Sequence, residues 1–248
     1  MDKVLEAAKL IKESKNVVVL TGAGASTESG IPDFRSNVGP AKRKKKYDYP
    51  SEVLLSHSFF MSNTEIFYDY YMSNMIYRDA KPNDCHKSLA EMEKYCNVLA
   101  VITQNIDGLH QEAGSSDVIE LHGSTKRNFC MKCGKKFSLD DLFELNEPVP
   151  KCNKCGGLIK PDVVLYEEPL NEKDLTRAIN LTMKADVLLV IGTSLVVYPA
   201  AGLLNYYRGG KLIIINIGAT PFDSMAKLVI HDSAGQVMKK ILDNLRQD

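Results

Sequence analysis

The chain has no excess of charge of either sign. Lysine and arginine total 31, aspartate and glutamate also total 31, and the formal net charge over 248 residues is zero. This removes the long-range field that draws nucleic acid or an anionic membrane to a protein, so any charged partner has to be met locally. No apolar stretch approaches the roughly 20 residues needed to span a bilayer. The N-terminal run MDKVLEAAKLIKES mixes acidic residues and lysines with its apolar ones and lacks the apolar centre of a secretory signal. Internal repeats and low-complexity linkers are missing as well. These absences predict a cytoplasmic protein with no membrane contact and no specific nucleic-acid partner. Nothing specifies an oligomer, and a monomer is expected.

What is present is a core. Hydrophobic residues make up 44% of the sequence, enough for one large domain that carries a smaller insertion. Val4, Ala8 and Ile11 recur at helical spacing, and the apolar run Asn16 to Leu20 follows, ending at a glycine loop. Runs of the same type recur at Val98 to Thr103, Val163 to Leu165, Asp186 to Gly192 and Lys211 to Asn216. They alternate with helical patterns such as Asn171 to Lys184 and Ala234 to Leu245. Continuous β-branched strands separated by helices predict an α/β fold, a Rossmann-like parallel sheet covered by helices on both faces. Two stretches break the alternation. Residues 37 to 82 carry the basic run Lys42 to Lys46 and an aromatic helical segment, Phe59 to Tyr77, while residues 125 to 159 hold four cysteines. Residues 1–36, 83–124 and 160–248 are thus assigned to the nucleotide-binding domain, and 37–82 with 125–159 to a small domain packed against it.

The four cysteines are the sharpest local signal. Cys130-x-x-Cys133 and Cys152-x-x-Cys155, each pair followed by glycine, have the spacing of a zinc ribbon. Four thiolates close the tetrahedron and leave no position for water, so the zinc is structural, one ion per chain. A disulfide framework needs an oxidising compartment, for which the sequence gives no sign. Cys85 and Cys96 remain as small core hydrophobes.

The glycine loop GAGASTESG (Gly22 to Gly30) follows a strand, where close backbone approach and free N–H groups suit a pyrophosphate. It is not the dehydrogenase fingerprint, because Thr27 stands where the third glycine belongs and a lysine run occupies the place of the acidic second strand. Ile31-Pro32-Asp33-Phe34-Arg35 follows instead, a loop that sets out an acid, an aromatic and a cation. The run TQNIDGLH (Thr103 to His110) puts Gln104, Asn105 and Asp107 at the carboxyl end of a parallel strand, where open α/β sheets bind ligands. Taken alone, Asn105-x-Asp107-Gly108 is an ordinary turn. Of the five histidines, His122 in ELHGS stands at a strand end beside Gly123, and a pKa near 6.5 suits a general base. His57, His86, His110 and His231 are expected to be satisfied polar residues.

Taken together, GAGASTESGIPDFR, TQNIDGLH, ELHGS and the two cysteine pairs resemble the sirtuins in order and spacing, nearly end to end. The resemblance implies NAD-dependent removal of acetyl or other acyl groups from protein lysines, with NAD consumed as co-substrate and acetylated proteins or peptides as partners. It implies His122 and Asn105 at the reacting centre, with His122 as the general base. Gly22, Ala23 and Thr27 fall at the phosphates and nearby ribose, Phe34 over the reactive ribose carbon, and Asp33 and Arg35 in the loop over the cofactor. Gln104 and Asn105 fall at the nicotinamide ribose, Ile106 and Asp107 at the carboxamide. Gly192, Thr193, Ser194, Asn216, Ile217 and Asp232 fall on the adenosine side. KPDVVLYEE (Lys160 to Glu168) resembles the strand that pairs with the substrate peptide, through Val163, Val164 and Tyr166. Glu167 stands where the family usually has glycine, a departure that either disturbs peptide docking at this point or gives it a preference for basic neighbours. Two other readings are an NAD-dependent protein ADP-ribosyltransferase using the same pocket, and a nonenzymatic zinc-ribbon module binding nucleic acid through Lys42 to Lys46.

Overall fold

The computed structural model describes residues 2–33 and 47–247. Nine strands are present among them: β1 (Val17–Thr21), β2 (Val98–Thr103), β3 (Val118–Glu120), β4 (Gly123–Cys130), β5 (Lys136–Ser138), β6 (Ile159–Val163), β7 (Val187–Ile191), β8 (Lys211–Ile215) and β9 (Leu228–Ile230). Six form one parallel sheet in the order β3-β2-β1-β7-β8-β9. Every residue of β1 and β7 is buried, the pattern expected of central strands covered on both faces.

The helices are α1 (Lys3–Lys12), α2 (Ser51–Leu54), α3 (His57–Ser62), α4 (Thr64–Asn74), α5 (Asp84–Met92), α6 (Leu109–Ala113), α7 (Leu139–Leu145), α8 (Glu172–Lys184) and α9 (Ala234–Arg246). On one face of the sheet α1, α5 and α9 bury Ala7, Ile11, Leu89, Met92, Met238 and Ile241 against Val17, Val19 and Ile213. On the other, Ala178 of α8 and Leu203 and Leu204 of a 3-10 turn pack on Val18, Leu20, Leu188 and Ile214. The helix ends follow the sequence. Asp2 and Asn171 accept backbone N–H groups at the starts of α1 and α8, while the capping box of α5 joins Asn83 to His86. No helix among the described residues is long and apolar enough to cross a membrane.

Residues 163–165 do not extend the parallel sheet, contrary to expectation. Val163 instead ends β6, which begins at Ile159 and pairs antiparallel with β4, itself antiparallel to β5, while Val164 and Leu165 lie past the strand. An apolar run of this length reads alike in either kind of sheet; the preceding zinc knuckle delivers β6 to β4. This small sheet shares a third core with the helical segment. Phe60, Phe67, Tyr68 and Tyr71 of α3 and α4 pack with Phe137, Ile159, Val163, Cys130 and Cys152.

Candidate active site

The chain moves outward from β1 in one direction through β2 and β3 and in the other through β7, β8 and β9, so the sheet order reverses between β1 and β7. A crevice is forced there at the carboxyl ends of the strands. It opens into a cavity of about 760 Å3 that runs from the glycine loop to the small sheet, within the range of cofactor pockets.

One wall is glycine. A Cβ on Gly24 would stand 2.7 Å from the Gly192 Cα, so the two turns approach at a distance only glycine permits. Gly22 and Gly24 donate to the Ile191 and Gly192 carbonyls, and Thr27 donates through its hydroxyl to the Gly24 carbonyl. Gly22, Ala23, Thr27 and Asp33 all line the cavity. Phe34 and Arg35 lie outside the described residues, as does the basic run.

The floor comes from the end of β2. Gln104, Asn105, Ile106 and Asp107 line the cavity. The Asn105 amide donates to the Gly22 carbonyl and to the Ser26 hydroxyl, which commits both its hydrogens and leaves its carbonyl oxygen to offer a ligand. Asp107 accepts from the Ser26 hydroxyl at 2.7 Å and from the Leu109 N–H at 2.9 Å. Ser26 is 1% exposed and joins the two residues; it lay unremarked inside the glycine run. Gln104 donates to the Thr193 hydroxyl, which ties the floor to the loop after β7.

His122 sits beyond the end of β3. Its Nδ1 lies 2.9 Å from the Gln104 carbonyl. A carbonyl can only accept, so Nδ1 carries the proton and Nε2 is the bare base. Burial lowers the pKa below the ordinary histidine value, and the Gln104 carbonyl opposes that by stabilising the charged ring. The net result is a neutral imidazole at pH 7. Gly123, with φ +74°, lets β4 start beside it, since a Cβ there would stand 2.0 Å from the Asp162 carbonyl oxygen.

On the far side Gly192, Thr193, Ser194, Asn216, Ile217 and Asp232 line the cavity. Of the His231-Asp232-Ser233 run, Asp232 does so, while His231 lies against the Asn216 carbonyl and Asp223 and Ser233 against Glu28. Val163, Val164 and Tyr166 line the end facing the small sheet. Much of that segment's backbone is already engaged. The N–H groups of Val164, Leu165 and Tyr166 donate to the His122 carbonyl, the Glu168 carboxylate and the Leu55 carbonyl. Glu167 has φ +77°, which accounts for glycine being usual there. Its carboxylate accepts from the Ser58 N–H and hydroxyl and caps α3. The acid that was expected to meet basic peptide residues is held by a helix start.

The four cysteine sulfurs lie within 4.8 Å of one another. Two cross-knuckle pairs stand at 3.5 and 3.7 Å, Cys130 to Cys155 and Cys133 to Cys152. A disulfide needs about 2.05 Å, whereas thiolates about 2.3 Å from one zinc ion stand about 3.8 Å apart. The sulfurs therefore fit one tetrahedral zinc ion, and the Lys154 N–H donates to the Cys152 sulfur.

Two histidines read as ordinary polar residues occupy the floor's underside. His86 and His110 are 0% and 1% exposed, with rings 4.8 Å apart. His86 reaches Ser26, and His110 reaches Thr21. His110 Nδ1 has no partner among the described residues, so it is not the satisfied side chain expected.

The Sir2 family model matches residues 22–199, and the chain belongs to that family. A relative from Clostridium tetani named NAD-dependent protein deacetylase is 54% identical, over 99% of each chain. Its namesake from Clostridium acetobutylicum is 52% identical over 98% of this chain and 99% of the relative. Among solved structures, a complex described as "Sir2-p53 peptide-NAD+" superposes with a TM-score of 0.86 at 39% identity, covering 98% of both chains. One described as "Structure of Sir2Tm bound to a propionylated peptide" does so at 0.86 and 40%, with the same coverage.

Proposed function

We propose that this protein removes acetyl groups from lysine side chains of proteins with consumption of NAD, yielding nicotinamide, O-acetyl-ADP-ribose and free lysine. The observation that carries the reading is the tautomer of His122: a neutral imidazole at the cavity wall, with Nδ1–H held by a backbone carbonyl and Nε2 bare. Such a group can take a proton and hand it on. NAD supplies an electrophilic ribose carbon with nicotinamide as leaving group.

The chain's own residues do the rest by position. Gly22, Ala23 and Thr27 offer backbone and hydroxyl donors for the phosphates, with Thr193, Ser194, Asn216, Ile217 and Asp232 toward the adenosine. Asp107 presents an acceptor for the carboxamide end, beside Ile106, and Gln104 and Asn105 stand at the nicotinamide ribose. Val163 and Val164 wall the end where the acyl-lysine enters, close to His122 through the bond from Val164 N–H to the His122 carbonyl. His122 accepts the proton that a ribose hydroxyl must lose for the acyl group to move. Neighbouring solved structures, one described as "Sir2 bound to acetylated peptide" and one whose description names a "deacetylated p53 peptide-3'-o-acetyl ADP ribose", support this choice of substrate.

The same proposal places the nucleotide in a unit of residues 1–36, 83–124 and 160–248 and assigns 37–82 and 125–159 to a smaller one; the separate cores support it. Cysteines free of disulfides suit a cytoplasmic location. The deciding experiment incubates an acetyl-lysine peptide with NAD and follows products by mass spectrometry. Equimolar nicotinamide, O-acetyl-ADP-ribose and free lysine are expected. ADP-ribose retained on the peptide or protein, or acetyl loss without NAD, overturns the reading.

A further inference from the structure

We propose that Thr125, on the strand that leads into the first zinc cysteine pair, is a positioning residue whose hydroxyl holds the Ile106 carbonyl and so orients the groups that Asp107 turns to the nicotinamide carboxamide. The inference rests on the function proposed above. It goes beyond that reading by adding a residue of the small sheet to the nicotinamide end of the pocket.

Ile106 follows β2 in the chain, yet its attachments are to the smaller sheet. Its side chain packs against the core formed by α3, α4 and that sheet. Its carbonyl accepts twice from Thr125 of β4, from the backbone N–H at 2.9 Å and from Oγ1 at 2.9 Å. β4 has both groups to offer because its register against β6 shifts between Gly123 and Asn128, and an irregularity of this kind re-aims the strand that carries it. Thr125 is 4% exposed, and it lines the cavity together with Ile106 and Asp107.

The consequence is directional. In a trans peptide the carbonyl of one residue and the N–H of the next point opposite ways. With the Ile106 carbonyl drawn to β4, the Asp107 N–H is turned away from β4. Asp107 then brings a backbone donor and a carboxylate acceptor to a carboxamide, which itself offers a carbonyl oxygen and an NH2 group. Both are met at once only if the peptide plane between Ile106 and Asp107 is correctly turned. The Thr125 N–H already satisfies the Ile106 oxygen, so the hydroxyl is not needed to keep that oxygen paired. What the hydroxyl adds is a second donor from another direction, on the second lone pair, which restrains the plane.

The test uses the full-length, zinc-loaded chain. Thr125→Val keeps the branched shape and the backbone bond and removes only the hydroxyl; Thr125→Ser restores the hydroxyl. The readouts are inhibition of deacetylation by nicotinamide, calorimetric binding of ADP-ribose, which lacks the carboxamide, and KM for the acetyl peptide. Thr125→Val is expected to weaken nicotinamide inhibition about fivefold, the share of one neutral hydrogen bond. ADP-ribose affinity and peptide KM stay within about twofold of wild type, and Thr125→Ser stays within about twofold in all three.

Undiminished nicotinamide inhibition in Thr125→Val overturns the proposal. So does an equal loss of ADP-ribose binding, which marks a general distortion of the pocket, or a serine variant as impaired as the valine one. If Thr125→Val does not fold, Thr125→Ala set against Thr125→Ser gives the same contrast. A wild-type chain that fails to consume NAD with acetyl peptide refutes the function itself; a working wild type matched by Thr125→Val refutes this inference alone.

Discussion

Glu167 and Ser58 are joined twice, the carboxylate accepting from both the backbone N–H and the hydroxyl of Ser58 at 2.9 Å. The contact fastens the segment after β6 to the first turn of α3, across which the acyl-lysine is proposed to enter. It comes with a backbone conformation, φ +77°, that a side chain resists. A lost cap costs about 1 kcal/mol, and a non-glycine residue in this region costs roughly 1–2 kcal/mol. Glu167→Gly therefore trades one for the other and leaves the melting midpoint nearly unchanged. Glu167→Ala loses the cap and keeps the strain, destabilising by about 1 kcal/mol. Denaturant titration of both variants checks the difference; equal losses would show that the backbone conformation carries no strain, and an unchanged Glu167→Ala that the cap carries nothing.

Replacing His122 by alanine or tyrosine should leave folding and NAD binding in place and cut deacetylation on the order of 100- to 10,000-fold, the usual range for an essential acid–base group. Because burial lowers its pKa, the acidic limb of the kcat/KM profile of the wild type should lie below the ordinary histidine midpoint near 6.5. A limb at or above that value would separate the rate-limiting base from His122.

Zinc content should be one ion per chain. Stripping it, or Cys152→Ser, removes the centre around which Cys130 and Cys152 pack with Phe60, Phe67 and Tyr68. The small body should then unfold and activity fall with it, since β6 and the segment after it line the cavity. Loss of near-ultraviolet tyrosine signal on chelation, reversed by added zinc, is the measurement. A zinc-free chain with an unchanged melt would overturn a structural metal.

Stability should fall on acidification through three imidazoles, two buried and one half-buried. Burial lowers the pKa of His86 and His122, and it lowers that of His110 to about 3, with His86 adding to the effect. In each case the unfolded chain binds the proton first. Stability is therefore full above the unfolded value near 6.5 and is lost as pH falls below it, continuing for His110 toward about 3. Each histidine contributes a slope of up to about 1.4 kcal/mol per pH unit. Denaturation at a series of pH values, with His110→Gln as comparison, reads the slope; an unchanged slope in the variant would contradict the burial of a neutral ring.

Acetyl peptides should be turned over at least about tenfold more efficiently than succinyl peptides of the same sequence, a difference near 1.4 kcal/mol. Some sirtuins that accept acidic acyl groups carry a Tyr-x-x-Arg pair in the helical insertion, and the corresponding positions are Tyr68 and Tyr71. Tyr68 donates to the Ile159 carbonyl and is not offered to the cavity. Tyr71 lines the cavity, with its hydroxyl buried and without a partner among the described residues. A phenol gives one neutral hydrogen bond and no charge pair, so a buried carboxylate stays under-compensated. Equal kcat/KM for the two peptides would point to a cation outside these two positions.

The sequence by itself determined the alternation of buried strands and helices, the zinc ligands and the chemistry-bearing segments, because each is set by local patterning. Continuous apolar runs, cysteines in paired turns and polar residues just past a strand end depend on neighbours a few positions away. The tertiary structure alone decided which strand joins which sheet, and so moved residues 159–163 beside β4. It decided that the carboxylate of Glu167, exposed as the residue is, is held by the first turn of α3. It also brought Ser26, His86 and His110 beneath Asn105 and Asp107. Such contacts join residues up to 109 positions apart, and they follow from where the layers meet, which no local spacing records. Hydrogen-bond direction is the clearest instance: the proton on His122 or His86 is assigned only by the backbone carbonyl or N–H that the fold places against the ring.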